Sequence, residues 1–223
     1  MGCTESLPEP TSYNSVHAID PKYPAIGGGV AAGPSLDSPI RIVVREKLFS
    51  WSGDDFRIKH HPDGRPLGNG LKMKGKVFAL RDQMALLDGN GNMVAVCLRK
   101  FELIGQTFKI YLPNPVLPRQ QPSAQNYHGR ALYTYCEVKR IPFSTSQEVV
   151  LEGMSTPTYV INRAGSFWPK KRVVKKKGVP AALMEGGTWE GNWNSYRITI
   201  NPGIDPCLIV CICAICDEMD EDR

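Results

Sequence analysis

The chain opens Met1-Gly2-Cys3-Thr4-Glu5-Ser6, which fits the Met-Gly-x-x-x-Ser/Thr pattern for myristoylation of Gly2 after methionine removal. Cys3 stands where a palmitoyl chain is often added. The pairing has a physical reason, since one myristoyl chain binds a bilayer marginally and reversibly while a second makes the anchor stable. Gly2 and Cys3 are therefore candidate lipidation sites, against the bland alternative of a chance match to a short pattern. A second chemistry is electrostatic. Lys170, Lys171, Arg172, Lys175, Lys176 and Lys177 place six cations within eight positions. Near an anionic leaflet each would contribute ~1 kcal/mol of attraction, making these six the candidate lipid-headgroup-binding residues. The same cluster also reads as a nuclear-localisation or nucleic-acid patch, or as a solvated strand edge whose lysines discourage edge pairing. The acylation pattern favours the membrane, and no RNA-recognition signature or zinc-finger spacing accompanies the cluster.

Other candidates fall to geometry. Cys207, Cys211, Cys213 and Cys216 invite a metal or redox reading, but on a straight helix the first two lie nearly opposite the last two and cannot converge on one ion. Buried cysteine packs as a small hydrophobe, which is the expected role. Asp88-Gly89-Asn90-Gly91-Asn92-Met93 starts like a calcium loop, yet Met93 sits where glycine is required, so a hairpin turn is expected. His60 and His61 are adjacent, and neighbouring strand residues point to opposite faces. Gly27–Gly33 lacks the strand, lysine and helix of a phosphate loop. The reading contains no catalytic residues, no metal ligands and no cofactor, and the chain is expected not to be an enzyme.

The elements that must position these residues follow from composition. The 223 residues are 42% hydrophobic and 22% charged, enough for a sizeable core. The longest apolar run, Cys207–Cys216, is half the ~20 residues that cross a bilayer, so no transmembrane span is expected. The seven cysteines are odd in number, which argues against a secreted disulfide framework and for the cytoplasmic side. Net charge is +5, but residues 1–39 carry −3 and residues 217–223 carry −4, so the body between them carries +12. Such a body is drawn to anionic membrane or nucleic acid.

Residues 1–39, with six prolines and five glycines, read as a flexible leader. Short strands then follow at Ile40–Lys47, Phe56–Ile58, Lys76–Leu80, Met84–Leu87, Met93–Arg99 and Thr107–Tyr111. A Pro- and Gln-rich surface connector spans 113–129. The second strand series is Leu132–Lys139, Val149–Leu151, Thr158–Ile161, Arg172–Val174, Ala181–Met184 and Tyr196–Ile200. Strands at this spacing without helices between them argue for an antiparallel barrel or sandwich. Asp205 is a good N-cap and Pro206 a good first helical residue for the run that follows. A helix apolar on every side must be enclosed, and this one is expected to thread the barrel. The acidic residues after it, Asp217–Asp222, are expected to emerge into water as a tail, with contact to the basic cluster as the alternative.

The string KGKVFALRDQMALLDGNGNMVAVCLRK (Lys74–Lys100), preceded by REKLFSWSGDDFRI (Arg45–Ile58), resembles the N-terminal half of LURP-one-related proteins, and YRITINPGIDPCLIVCICAICDE (Tyr196–Glu218) resembles their last strand and helix. The family groups with tubby C-terminal domains and phospholipid scramblases. The resemblance implies a mainly β fold: an antiparallel tubby-like β-barrel of about twelve strands enclosing a hydrophobic C-terminal α-helix. It covers a barrel domain at 40–218, with the leader at 1–39 and an acidic tail at 219–223 on either side. No catalytic residue transfers from the family, which is often linked to plant defence, whereas tubby relatives bind phosphoinositides through basic residues on the barrel. The stretch Ser195–Asp205 is poor in the carboxylates that scramblases use for calcium. The expected function is a non-enzymatic adaptor held to anionic lipids at the cytoplasmic face, peripheral to a membrane such as the plasma membrane. The alternatives are a scramblase-like lipid transporter and a nuclear or nucleic-acid-binding regulator.

Overall fold

The computed structural model describes residues 23, 25–26, 38–46, 56–61, 63–75, 83–100, 102, 106–125, 129–164, 171–189 and 192–221. Its strands are β1 (Ile40–Glu46), β2 (Phe56–His60), β3 (Lys72–Lys74), β4 (Gln83–Leu87), β5 (Met93–Lys100), β6 (Thr107–Leu112), β7 (Ala124–Gln125), β8 (Ala131–Arg140), β9 (Gln147–Leu151), β10 (Tyr159–Arg163), β11 (Lys171–Lys176), β12 (Val179–Trp189) and β13 (Asn192–Ile200), followed by helix α1 (Pro206–Glu221). Consecutive strands pair antiparallel, β1 pairs with β13, and β6 skips to β8, which closes a ring of twelve strands. Two-residue β7 lies outside the ring against β8. Closure leaves the ring without an edge, so every ring strand has two partners.

Alternation drives the strands to this arrangement. Ile42 and Val44 on β1, Phe56 and Ile58 on β2, and Ile198 and Ile200 on β13 fall on one face and are buried. That face surrounds α1, whose residues from Cys207 to Cys216 are each no more than 7% exposed and share one apolar cluster with the strands. At ~25 cal/mol per Å2 of apolar surface, enclosing a helix on all sides contributes a large share of the folding drive. Asp205 caps α1 as expected, its Oδ1 accepting the N–H of Cys207 at 2.8 Å and of Leu208 at 3.4 Å. The loop at Asp88 is a hairpin turn, its carboxylate accepting the N–H groups of Asn90 and Asn92 at 2.9 and 2.8 Å.

Three expectations change. β3 falls between the expected strands, and the strand expected at Lys76–Leu80 lies entirely outside the described residues. The helix passes position 218 and continues to Glu221, with Met219 fully buried, so the acidic residues belong to its last turns. Two leader residues also belong to the core: Tyr23 is 5% exposed and Ile26 0%. Tyr23 donates its hydroxyl to the carbonyl of Glu152, 129 positions away, and Ile26 donates its N–H to Asp205, 179 positions away. Partners that distant in sequence could not be read from the leader's composition.

Candidate anion-binding surface

The expected headgroup cluster divides when β11 takes its place in the sheet. Lys170, like Gly2 and Cys3, lies outside the described residues. Lys171 faces outward opposite Glu185 of β12, Nζ to Oε1 at 3.6 Å. Its neighbour Arg172 must then face inward, because successive strand residues alternate. There the guanidinium donates to Gln147 Oε1 at 3.0 Å, the Cys216 carbonyl at 3.4 Å and Asp220 Oδ2 at 2.5 Å. Arg172 is 6% exposed, so it serves the core and is removed from the headgroup-binding set. Lys175, Lys176 and Lys177 lie at the mouth where α1 enters the barrel. The Lys176 ammonium stands 5.9 Å over the Tyr159 ring, a cation–π distance. Lys177 is exposed in the β11–β12 turn at φ 49°, before Gly178.

The acidic end of α1 is the counterpart. Asp220 takes Arg172 and, at 3.9 Å, Arg140, while Arg140 also donates to the Met219 carbonyl at 2.5 Å. Asp217 accepts the Tyr196 hydroxyl. Two guanidinium groups therefore meet the negative end of the helix dipole, where cations are favourable. The tail thus contacts one member of the basic cluster, and it does so inside the barrel.

A larger cationic surface lies elsewhere. On the outer faces of β1, β2, β3 and β13 stand Arg41, Arg45, Arg57, Lys59, Lys72, Lys74 and Arg197, and apart from Glu46 at the end of β1 these strands contain no carboxylate. Register puts Arg45 opposite Arg57, and Arg57 opposite Lys72, a row of three cations across three strands. Like charges directly opposite one another destabilise a sheet, so strand pairing alone does not favour Arg57 opposite Lys72. Arg41, Arg57, Lys72 and Lys74 are exposed and Lys59 is half-buried, and none of the five has an ion-pair partner among the described residues. Residues 41 to 74 and 197 are scattered in sequence, so local charge density did not reveal the wall. Alternation within Arg41–Arg45 and Arg57–Lys59 was its one sequence signal.

The wall formed by β5, β6 and β8 is ion-paired instead. Glu137 bridges Lys109 at 2.8 Å and Lys139 at 2.5 Å, and Lys100 meets Glu102 at 2.9 Å. Burial raises the Glu137 pKa, but the two ammonium groups outweigh it and hold the carboxyl down to about 2. The lysines of this wall are therefore ion-paired, unlike the five cations of β1, β2 and β3.

The thiols supply no site. Cys97, Cys136, Cys207, Cys211, Cys213 and Cys216 form no disulfide and are buried, and burial pushes Cys216 up to about 11. Among the described residues no group of three or more His, Cys, Asp or Glu side chains is placed to hold a metal ion. No described helix is long and apolar enough to cross a membrane.

A closed antiparallel barrel threaded by a buried C-terminal helix is the tubby-like architecture. An X-ray structure of a protein from Arabidopsis thaliana shares it, with a TM-score of 0.55 and 21% identity over 91% of this chain and 98% of that one. The family profile described as LURP-one-related matches residues 40–217, and the chain belongs to that family. No curated protein matches it.

Proposed function

We propose that this protein is a non-enzymatic adaptor that binds anionic phospholipid at the cytoplasmic face of a membrane, through the basic wall and with Lys175–Lys177 in support. The observation that carries the reading is the pair Arg57–Lys72, two exposed cations placed directly opposite one another across β2 and β3, which an anionic surface would reconcile. At ~1 kcal/mol per basic residue near such a surface, the five cations without an ion-pair partner among the described residues would support salt-sensitive recruitment. Acylation of Gly2 and Cys3 would add the apolar half of a two-signal anchor.

Co-sedimentation with phosphatidylcholine vesicles, with and without phosphatidylserine, tests the wall. Wild type is expected to pellet only with the anionic vesicles and to be released by salt, whereas Arg57→Glu/Lys72→Glu stays in the supernatant. Equal pelleting of the two proteins would sink this role for the wall, and binding to duplex DNA with vesicles ignored would favour the nucleic-acid alternative. Mass spectrometry of the chain from eukaryotic cells reads acylation directly; an unmodified or acetylated Gly2 ends that part of the proposal.

A further inference from the structure

The mouth of the barrel holds a second site. We propose that it binds a peptide segment bearing Tyr and, three positions on, Ile, and that Tyr23 and Ile26 of this chain occupy it in cis. Three contacts define recognition. The Tyr23 hydroxyl donates to the Glu152 carbonyl at 2.5 Å, and its ring meets Tyr135 edge-on, centroids 6.4 Å apart at 83°. The Ile26 N–H donates to Asp205 Oδ2 at 2.6 Å. The Ile26 side chain is wholly buried in the main core cluster.

The receiving half is built by residues of the barrel and the helix cap. Glu152 donates its N–H to the Tyr135 carbonyl at 2.9 Å, which fixes the β9–β10 turn on β8. Asp205 is held by the helix it caps through Oδ1, so Oδ2 is left aimed at the incoming strand of chain. A buried carboxylate with no cation beside it needs such N–H donors, and the leader supplies one. The site is therefore specific for a main-chain N–H at Asp205, an apolar branched side chain beside it, and a phenol three positions earlier.

Occupancy in cis is a tethered equilibrium. Residues 27–39 join Ile26 to β1, and a covalent connection of that length places the segment at an effective concentration of about a millimolar. A partner protein presenting the same Tyr-x-x-Ile chemistry would compete for the mouth and displace Tyr23 and Ile26 from it. This site stands independently of the phospholipid reading, since neither needs the other.

A fluorescent peptide of residues Asp20–Gly29, added to full-length protein, tests it by anisotropy. The variant Tyr23→Ala/Ile26→Ala, whose own segment is weakened, is expected to bind the peptide saturably. Wild type should bind it at least about tenfold more weakly, because its own segment competes. A peptide carrying Tyr23→Phe should lose about fivefold through the missing hydroxyl, and one carrying Ile26→Ala should not bind. No binding to a cooperatively folded double variant, or equal binding of the Ile26→Ala peptide, overturns the proposal. Should the double variant not fold, hydrogen exchange of wild type gives the same decision: the Ile26 amide is expected to be protected alone and exposed by excess peptide. An unprotected amide overturns the site, and a dimeric wild type with that amide protected overturns the cis assignment.

Discussion

The Arg172 guanidinium meets the Asp220 carboxylate, Nη2 to Oδ2 at 2.5 Å, and so ties β11 to the last turn of α1. Their side chains are 8% and 12% exposed, which places the pair beyond solvent screening. The contact converts a residue of a conspicuous basic cluster and a residue of a conspicuous acidic run into one structural element. It also explains how a helix with an acidic end remains inside a barrel.

Asp220→Asn is expected to destabilise the protein by about 3–5 kcal/mol, because it leaves a buried guanidinium without its counter-charge. Replacing both partners, as Arg172→Met/Asp220→Leu, should recover most of that loss. Urea denaturation of the three proteins checks it; a single variant as stable as wild type would refute the buried pairing.

The row Arg45–Arg57–Lys72 predicts opposite effects on stability and binding. Arg57→Glu should stabilise the sheet by about 0.2–1 kcal/mol by replacing repulsion with attraction, while weakening attachment to anionic vesicles. Thermal unfolding and co-sedimentation of the same preparation give both signs. Loss of stability together with loss of binding would reduce the second to a folding defect.

Two carboxyls predict opposing pH dependences. Glu137 is held down to about 2 from 4.5, so its contribution is present above pH 4.5 and lost as pH falls toward 2. Burial pushes Asp205 up to about 6 from 3.8, although the N–H groups of Ile26, Cys207 and Leu208 pull the other way. Its folded form therefore holds a proton more tightly than the unfolded chain, and its stability contribution is full below pH 3.8 and lost as pH rises through 6. Denaturation series are expected to show Glu137→Gln converging on wild type at low pH, and Asp205→Asn removing slope between pH 3.8 and 6.

The helix is expected to be as sensitive as any core element. Ile212→Ala should cost about 2–5 kcal/mol, the range for deleting a fully buried branched side chain. The six buried thiols should resist a disulfide reagent until global unfolding, since each is shielded and the thiolate is the reactive form. Rapid labelling of any of the four helix cysteines in the folded protein would contradict enclosure by the strands.

Much of the architecture was legible before any coordinate. Period-two alternation in β1 and β2, the short apolar run of β5, turn chemistry at Asp88, the Asp205-Pro206 start and ten apolar residues without a polar face determined strands around a greasy helix, because burial and hydrogen-bond satisfaction leave such segments few alternatives. What those local rules lack is register and partners. Which cations of Lys171–Lys177 face water depends on where β11 sits between β10 and β12. The wall from Arg41 to Lys74 exists because β1, β2, β3 and β13 are neighbours, and Tyr23 and Ile26 count as core because Glu152 and Asp205 wait at the barrel mouth. Charge density along a chain is a local quantity, whereas charge on a surface is set by closure of the sheet, and only the tertiary structure carries that information.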